Sequence, residues 1–313
     1  MRNKKKYCLM TNDVETTSIV NNCLSIKTGE RVLNEGMPKL LNAYDKWGIK
    51  STFFFTGYIA ENYPEIVRMI QNCGHEIGCH GYSHEVDKGF DLLNYDQQIE
   101  CLRKAKDILE NISGEEVISF RAPALRVNNY TPAALIETGF KIDSSTSSQR
   151  MDMFFSHGSK KKLNWIIQPR LPYFTNYENI WKKGKSQLYE IPISALFLPY
   201  IGTLMRISPG LTTLLRKVLD AESGINNKPV VFLIHPNELI NECKDEEFLE
   251  QRKRIRTDNI VSYYLKNVLR RNLKLKNLGN KAVFLLENEI EYFIKKNYQF
   301  STLKEYFINS SML

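Results

Sequence analysis

A chain of 313 residues, 42% hydrophobic and 25% charged, is too apolar to stay disordered and long enough to bury a large core in one or two domains. Its net charge is +8, and the excess is concentrated: between Gln251 and Lys281 ten basic side chains stand against one acidic one. The basic start MRNKKKYCLMTNDVE passes at once into polar residues, so neither a signal peptide nor a transmembrane span is expected there.

In chain order, short apolar β-rich runs alternate with longer helical patterns. KKYCLMTND reads as a strand, GMPKLLNAYDKWG as a helix, KSTFFFTG as a buried strand, and YPEIVRMIQNCG as a helix ending at Gly74. HEIGCH is a strand, and DLLNYDQQIECLRKAKDILENISG is a long amphipathic helix closed by Gly114. VISFRAP is a strand, TPAALIETG a helix started by Thr131 and Pro132, and FKIDSST a strand. After a less regular stretch come LYEIPIS, PVVFLIHP and, near the end, YQFSTLKEY, all expected as strands. About seven such βα units in one domain predict an α/β barrel rather than an open sheet.

Barrels of this kind carry their chemistry at the C-terminal ends of the strands. The expected strands end in Asp13 and Glu15, His80, Arg121, Asp143 and His235, so two carboxylates, an arginine, a third carboxylate and the histidines would share one rim. In HGYSH, His80 and His84 are four apart and would lie on one face of a helical turn, although Gly81 makes that turn a poor helix. The spacing alone leaves open whether they form a metal clamp or a surface pair. In a strand ending NDVE, alternation sends Asp13 and Glu15 the same way, so one carboxylate can hold a metal and the other act as a base. Taken alone, the same residues are an ordinary acidic strand end. His75 points the other way by the same rule and reads as structural; His157 is assigned nothing.

The six cysteines contain no CxxC pair, and Cys73 and Cys79 bracket GHEIG at a spacing without a zinc signature. Reduced thiols and a cytoplasmic setting are expected. The basic stretch has no interleaved aromatics, so nucleic acid is not expected as a partner; a solvated helix face or contact with anionic lipid or polymer is.

Taken in order, TNDVE, WGIKSTFFFTG, NCGHEIGCHGYSH, SFRAP, GFKIDSS, LYEIPIS and FLIHPNEL resemble the polysaccharide deacetylase (NodB-homology) family, from about Tyr7 to Phe307. The resemblance implies a distorted (β/α)7 barrel, a single domain over 1–313 with a helical cover around 195–220 and a basic helical segment around 246–297. It also implies a divalent metal, commonly Zn2+, with Co2+ or Ni2+ accepted by the same donors. By the family motifs Asp13 corresponds to the catalytic base and His80 and His84 to metal ligands. Val14 stands where the family usually has a second aspartate; in the D-x-E branch Glu15 would be the third ligand. Arg121 corresponds to the residue that orients the base, Pro123 to a substrate-contacting proline, Ala124 to the backbone donor for an oxyanion, His235 to the general acid, and Asp143 to the carboxylate that supports His235. Ala124 and Leu125 replace an aromatic found in many members, and the fourth motif's tryptophan is absent.

The activity implied is metal-dependent removal of an acyl group from an amino sugar, in a glycan or in a lipid- or nucleotide-linked intermediate. Two other classes stay open: a metal-free cyclic amidohydrolase acting on a small ureide or imide, and a glycan-binding barrel without catalysis. SALFLPYIGTLMRISPGLTTLLRKVL is apolar but broken by Pro199 and Pro209. It is expected either to cover the barrel or, with 251–281, to rest on the inner face of a membrane.

Overall fold

The computed structural model describes residues 5–19, 24–151, 160–241 and 268–311. Its strands are β1 (Tyr7–Val14), β2 (Thr52–Phe55), β3 (Glu76–Cys79), β4 (Ser119–Phe120), β5 (Ile142–Asp143), β6 (Tyr173–Asn176), β7 (Asn179–Lys183), β8 (Tyr189–Glu190), β9 (Ala195–Leu196), β10 (Leu198–Pro199), β11 (Val230–Ile234) and β12 (Gln299–Phe300). β11, β1, β2, β3, β4, β5 and β8 lie side by side in that order, all parallel. Among the described residues no ladder joins β8 to β11. The gap is bridged by Ser194, whose N–H donates to the Val231 carbonyl (3.1 Å) and whose Oγ accepts from the Val231 N–H (2.9 Å). The result is the distorted (β/α)7 barrel expected from the motifs.

The parallel strands are buried on both faces, which is why β2 reads TFFF and β11 VVFLI with no polar alternation. Helices wrap the outside. The longest, Tyr95–Ser113, begins with a capping box between Asn94 and Gln97 and ends at Gly114 in the left-handed region (φ 68°). An antiparallel hairpin, β6–β7, extends the sheet beyond β8.

At the N-terminal ends of the strands the floor is closed by the helix Leu303–Ser311. Its Leu303 N–H donates to Thr52 Oγ1 (2.9 Å), and its Lys304 N–H donates to a Glu76 carboxylate oxygen (3.0 Å). Tyr306 and Phe307 pack edgewise or tilted against Tyr7 and Tyr189.

Two expectations change here, and a third is met only in part by the described residues. YQFSTLKEY is strand only at Gln299–Phe300 and then turns into the floor helix, because Glu305 caps that helix by accepting from the N–H of Thr302. The cover around 195–220 starts as the small β9–β10 ladder and only then becomes helical, at Gly202–Ile207 and Pro209–Asn226. Of the basic segment around 246–297, helices are described at Arg270–Lys274 and Asn280–Lys295, while 246–267 lies outside the described residues, as do Cys23, His157 and Cys243.

Candidate active site

Along β1 the inward positions are Tyr7, Leu9, Thr11 and Asp13, and Glu15 follows just past the strand end. Arg121 is fully buried immediately after β4. Its Nη1 donates to Asp13 Oδ1 and Thr11 Oγ1 (2.9 Å each), its Nε to the Ser144 carbonyl (2.9 Å) and its Nη2 to Ser144 Oγ (2.8 Å). The guanidinium lies 4.4 Å from the centre of the Phe54 ring. Gly78 makes room for that ring, since a Cβ there would come within 2.7 Å of it.

Asp13 is the centre of the arrangement. Its Oδ2 stands 3.8 Å from His80 Nε2 and 4.0 Å from His235 Nε2. Burial alone would raise its pKa; Arg121, then His80 and His235, outweigh that and hold the carboxyl below its ordinary value. Burial pushes the His80 imidazole down to about 4, so it is neutral at ordinary pH.

Glu15, His80 and His84 offer ligand atoms that all lie within 4.8 Å of one another, with Glu15 Oε2 at 3.3 Å from His84 Nε2. The donor set fits a metal on a further ground. His80 Nδ1 is engaged with the Arg121 carbonyl at 2.8 Å, so the proton belongs on Nδ1 and the Nε2 lone pair faces the cluster, the usual arrangement of a ligating histidine. Two imidazoles and a carboxylate suit zinc and leave a coordination position for a small molecule. The histidine pair is not brought together by a helical turn. The chain from His80 to His84 has no helix, and Gly81 turns it at φ 68°, with a Cβ there meeting the Phe90 ring at 3.0 Å.

His235 follows β11 and keeps 24% of its side chain exposed. Its support is not Asp143. Nδ1 lies 3.0 Å from Glu238 Oε1, which also accepts from the His235 N–H (3.3 Å). Arg206 fixes Glu238 from behind, its Nε donating to Oε2 at 2.5 Å and its Nη1 to the Lys274 and Lys276 carbonyls. Burial would raise Glu238, but Arg206 and His235 bring it to about 2; burial would lower His235, but Glu238, then Asp13 and Glu15, lift it to about 9.

Asp143 faces the other way because it pairs in register with Phe120, whose ring packs outward on Phe90 and Phe140. There it accepts from Ser145 Oγ (2.5 Å) beside Glu190, and burial raises both carboxyls; Asp143 raises Glu190 further, while the hydrogen bond between them pulls Asp143 back down. Ser145 Oγ in turn accepts from the Ala122 N–H (2.8 Å), so Asp143 reaches the rim only through the backbone after β4. That backbone carries Pro123, buried beside Gly81, and Ala124, which takes a left-handed conformation (φ 52°, ψ 21°). His75 is buried at the floor end, accepts from the Ser51 N–H (3.2 Å) and packs on Phe53 and Tyr44; it stands apart from the rim.

Sequence reasoning missed Glu238 and Arg206. The first had a signal: HPNE places a carboxylate three residues after the histidine, the spacing of a capping box. Arg206 had none, being one basic residue in an apolar stretch. Clefts of about 630 Å³ (Lys6, Trp47, Tyr298) and 160 Å³ (His75, Glu116, Lys304) open at the floor end and share no residue with this cluster.

With this geometry in view, comparison with known proteins is informative. Residues 6–142 match the family model described as polysaccharide deacetylase. Over this span the chain is similar to the polysaccharide deacetylase family. A peptidoglycan deacetylase of Helicobacter pylori is 33% identical over 110 residues, 35% of this chain and 36% of the relative. A peptidoglycan-N-acetylglucosamine deacetylase of Bacillus cereus is 36% identical over 89 residues, 28% of this chain and 31% of the relative. The chain thus matches about a third of each of these relatives' length. Among solved structures, a Mycobacterium smegmatis protein assigned to the polysaccharide deacetylases superposes with a TM-score of 0.63 at 20% identity, covering 100% of this chain and 94% of that one. An allantoinase gives a TM-score of 0.54 at 15% identity, covering 97% and 90%. At these identities the likeness is one of fold.

Proposed function

We propose that this polysaccharide deacetylase homologue hydrolyses the N-acyl group of an acylated amino sugar, in a glycan or in a lipid- or nucleotide-linked intermediate. The observation that carries the reading is Asp13, kept ionised by Arg121 and set between two imidazoles of opposite character, neutral His80 and protonated His235.

Glu15, His80 and His84 would hold a divalent cation, Zn2+ by the donor set. When bound, such an ion supplies Lewis acidity to a water and to an acyl oxygen. The chain's own groups do the rest. Asp13 accepts the proton of the attacking water as its oxygen adds to the acyl carbon, and Arg121 keeps the carboxylate placed for that transfer. The left-handed turn at Ala124 is where a backbone N–H would meet the oxyanion. His235, charged and oriented by Glu238, gives its proton to the nitrogen as the C–N bond breaks. The products are a carboxylic acid, which ionises, and a free amine; Asp13 then releases the proton it took, and His235 regains one from solvent.

A cyclic amidohydrolase without metal would not need three ligand atoms clustered beside the base. A binding protein would not need a low-pKa carboxylate facing a high-pKa histidine. Of the membrane contact expected through 195–220 and 251–281, residues 251–267 lie outside the described residues. No helix among the described residues is long and apolar enough to cross a membrane; peripheral contact is a separate question, answered by the vesicle experiment below.

The test is elemental analysis of the purified protein beside a Glu15→Ala variant, with carboxylate release from N-acylated amino sugars measured on both. Close to one equivalent of metal in the wild type, lost together with activity in the variant, is expected. A wild type that takes up no added zinc yet still hydrolyses an amide would overturn the metal site and favour the cyclic amidohydrolase.

A further inference from the structure

The helix Pro209–Asn226 buries Thr212, Leu215, Leu219 and Ser223 against the barrel wall. A surface helix is expected to turn polar side chains to the other side. Here the other side carries Leu211, Leu214, Val218 and Ile225, which are 48%, 60%, 39% and 86% exposed. Ala221, also exposed, completes the row. The positions 211, 214, 218, 221 and 225 are alternately three and four apart, the a and d sites of consecutive heptads. A helix lying on lipid shows a broad apolar arc, whereas a row this narrow fits a single helix packed along it.

The flanks enlarge the surface. Arg170 forks onto Glu222 (2.7 and 2.6 Å), and its Nη1 also donates to the Ala195 carbonyl (2.9 Å). This ties the stretches that carry Ile167 and Leu171, 77% and 44% exposed, and Phe197, 59% exposed, to the Glu222 flank of the helix. Together these side chains present on the order of 700 Å² of apolar surface. That is at or above what a typical monomer leaves in one patch, and close to the about 800 Å² each partner gives to a standard interface.

We propose that this face joins two copies of the chain about a two-fold axis crossing the helix at Val218. The row is self-complementary about that point, as a two-fold interface requires. Antiparallel pairing places Val218 against its own copy, Leu211 opposite Ile225, and bulky Leu214 opposite small Ala221. The row itself holds no charge. This inference is independent of the proposed chemistry, since none of these residues belongs to the candidate active site.

Sedimentation velocity of the full chain across the micromolar range tests it, with the mass read against 36.4 kDa per chain. The expected result is a dimer that Val218→Lys, which brings two ammonium groups together at the axis, converts to monomer at the same concentration. Its unfolding midpoint should match that of wild type diluted until it is monomeric, because the side chain points out of the core and only the stabilisation by association is lost. Val218→Cys, a substitution the fold tolerates even if lysine is not, should give a covalent dimer under mild oxidation that the wild type does not. A single monomeric species at every concentration overturns the proposal. So does a dimer unmoved by Val218→Lys and not cross-linked by Val218→Cys. A monomer that co-floats with phosphatidylglycerol vesicles through the same side chains would assign the face to a lipid surface instead.

Discussion

Asp13 and Glu76 point into the same barrel, one at the rim and one at the floor, and both are almost completely buried, at 3% and 9% exposed. For both, burial is the largest influence and acts to raise the pKa. Glu76 meets neutral donors: Thr52 Oγ1 (2.6 Å), Ser119 Oγ (2.5 Å) and the Lys304 N–H. These do not overcome burial, and its carboxyl ends above the ordinary value. Asp13 meets a guanidinium and two imidazoles, and ends below it. Hydroxyls and amides can satisfy a buried carboxyl; holding it ionised and ready to take a proton needs formal charge nearby. At the floor the Lys304 ammonium lowers Glu76 too little to offset burial; at the rim the charge is enough.

The comparison breaks most sharply at Arg121. In Arg121→Ala, Asp13 loses its counter-charge, and breaking a buried pair from one side costs about 3–5 kcal/mol. Activity should fall by roughly 100-fold or more with it. Thermal unfolding and carboxylate release check both, and an unchanged midpoint would mean that Asp13 does not depend on that charge.

Glu238→Gln keeps shape and removes charge behind His235, so the expected loss is smaller, about 10–100-fold, as for other residues that orient a functional histidine. The pH profile is the more telling readout. His235 is useful while protonated, so activity in the wild type should decline as pH rises through about 9. In the variant that limb should move down toward the ordinary histidine value of about 6.5. The stability that His235 draws from its partners has the same sign. It is complete below about 6.5 and disappears as pH rises through about 9.

Glu76→Gln should have the smallest effect. An amide can replace a carboxyl among neutral donors if the Ser119 hydroxyl reverses to accept, so a cost of about 1 kcal/mol is expected, with metal content and turnover unchanged. A fall in turnover would show that the floor is coupled to the rim and would remove the contrast drawn above.

The barrel was legible because each strand of a parallel sheet is short, apolar and followed by a helix, a pattern that KSTFFFTG and PVVFLIHP carry openly. The placement of Asp13, Glu15, His80, Arg121 and His235 at the rim was legible for the same reason, since a strand end is a position that periodicity can locate. Asp143 misled because it stands at a strand end too, and only the register with Phe120 tells which face it takes. Glu238 lies in a short 3-10 turn after the strand, and Arg206 comes from a helix some thirty residues away. Their meeting depends on how that helix docks, which no local pattern encodes. The floor helix was hidden in the same way: its first turn is fastened by Thr52 and Glu76, residues that are remote in sequence.

That fastening has a bearing on how the chain acquires its structure. The bonds from Leu303 and Lys304 to Thr52 and Glu76 close loops of 251 and 228 residues, among the longest this chain can form. During synthesis β2 and β3 emerge early, with Thr52 and Glu76 lacking their backbone partners, the N–H groups of Leu303 and Lys304. They must wait for the 228 residues or more that separate them from the floor helix before the barrel can be sealed from below. Such late, non-local closure slows folding and leaves strand edges open to wrong partners in the meantime. A chain lacking 301–313 should therefore accumulate as a collapsed, aggregation-prone species even though every group at the rim is present.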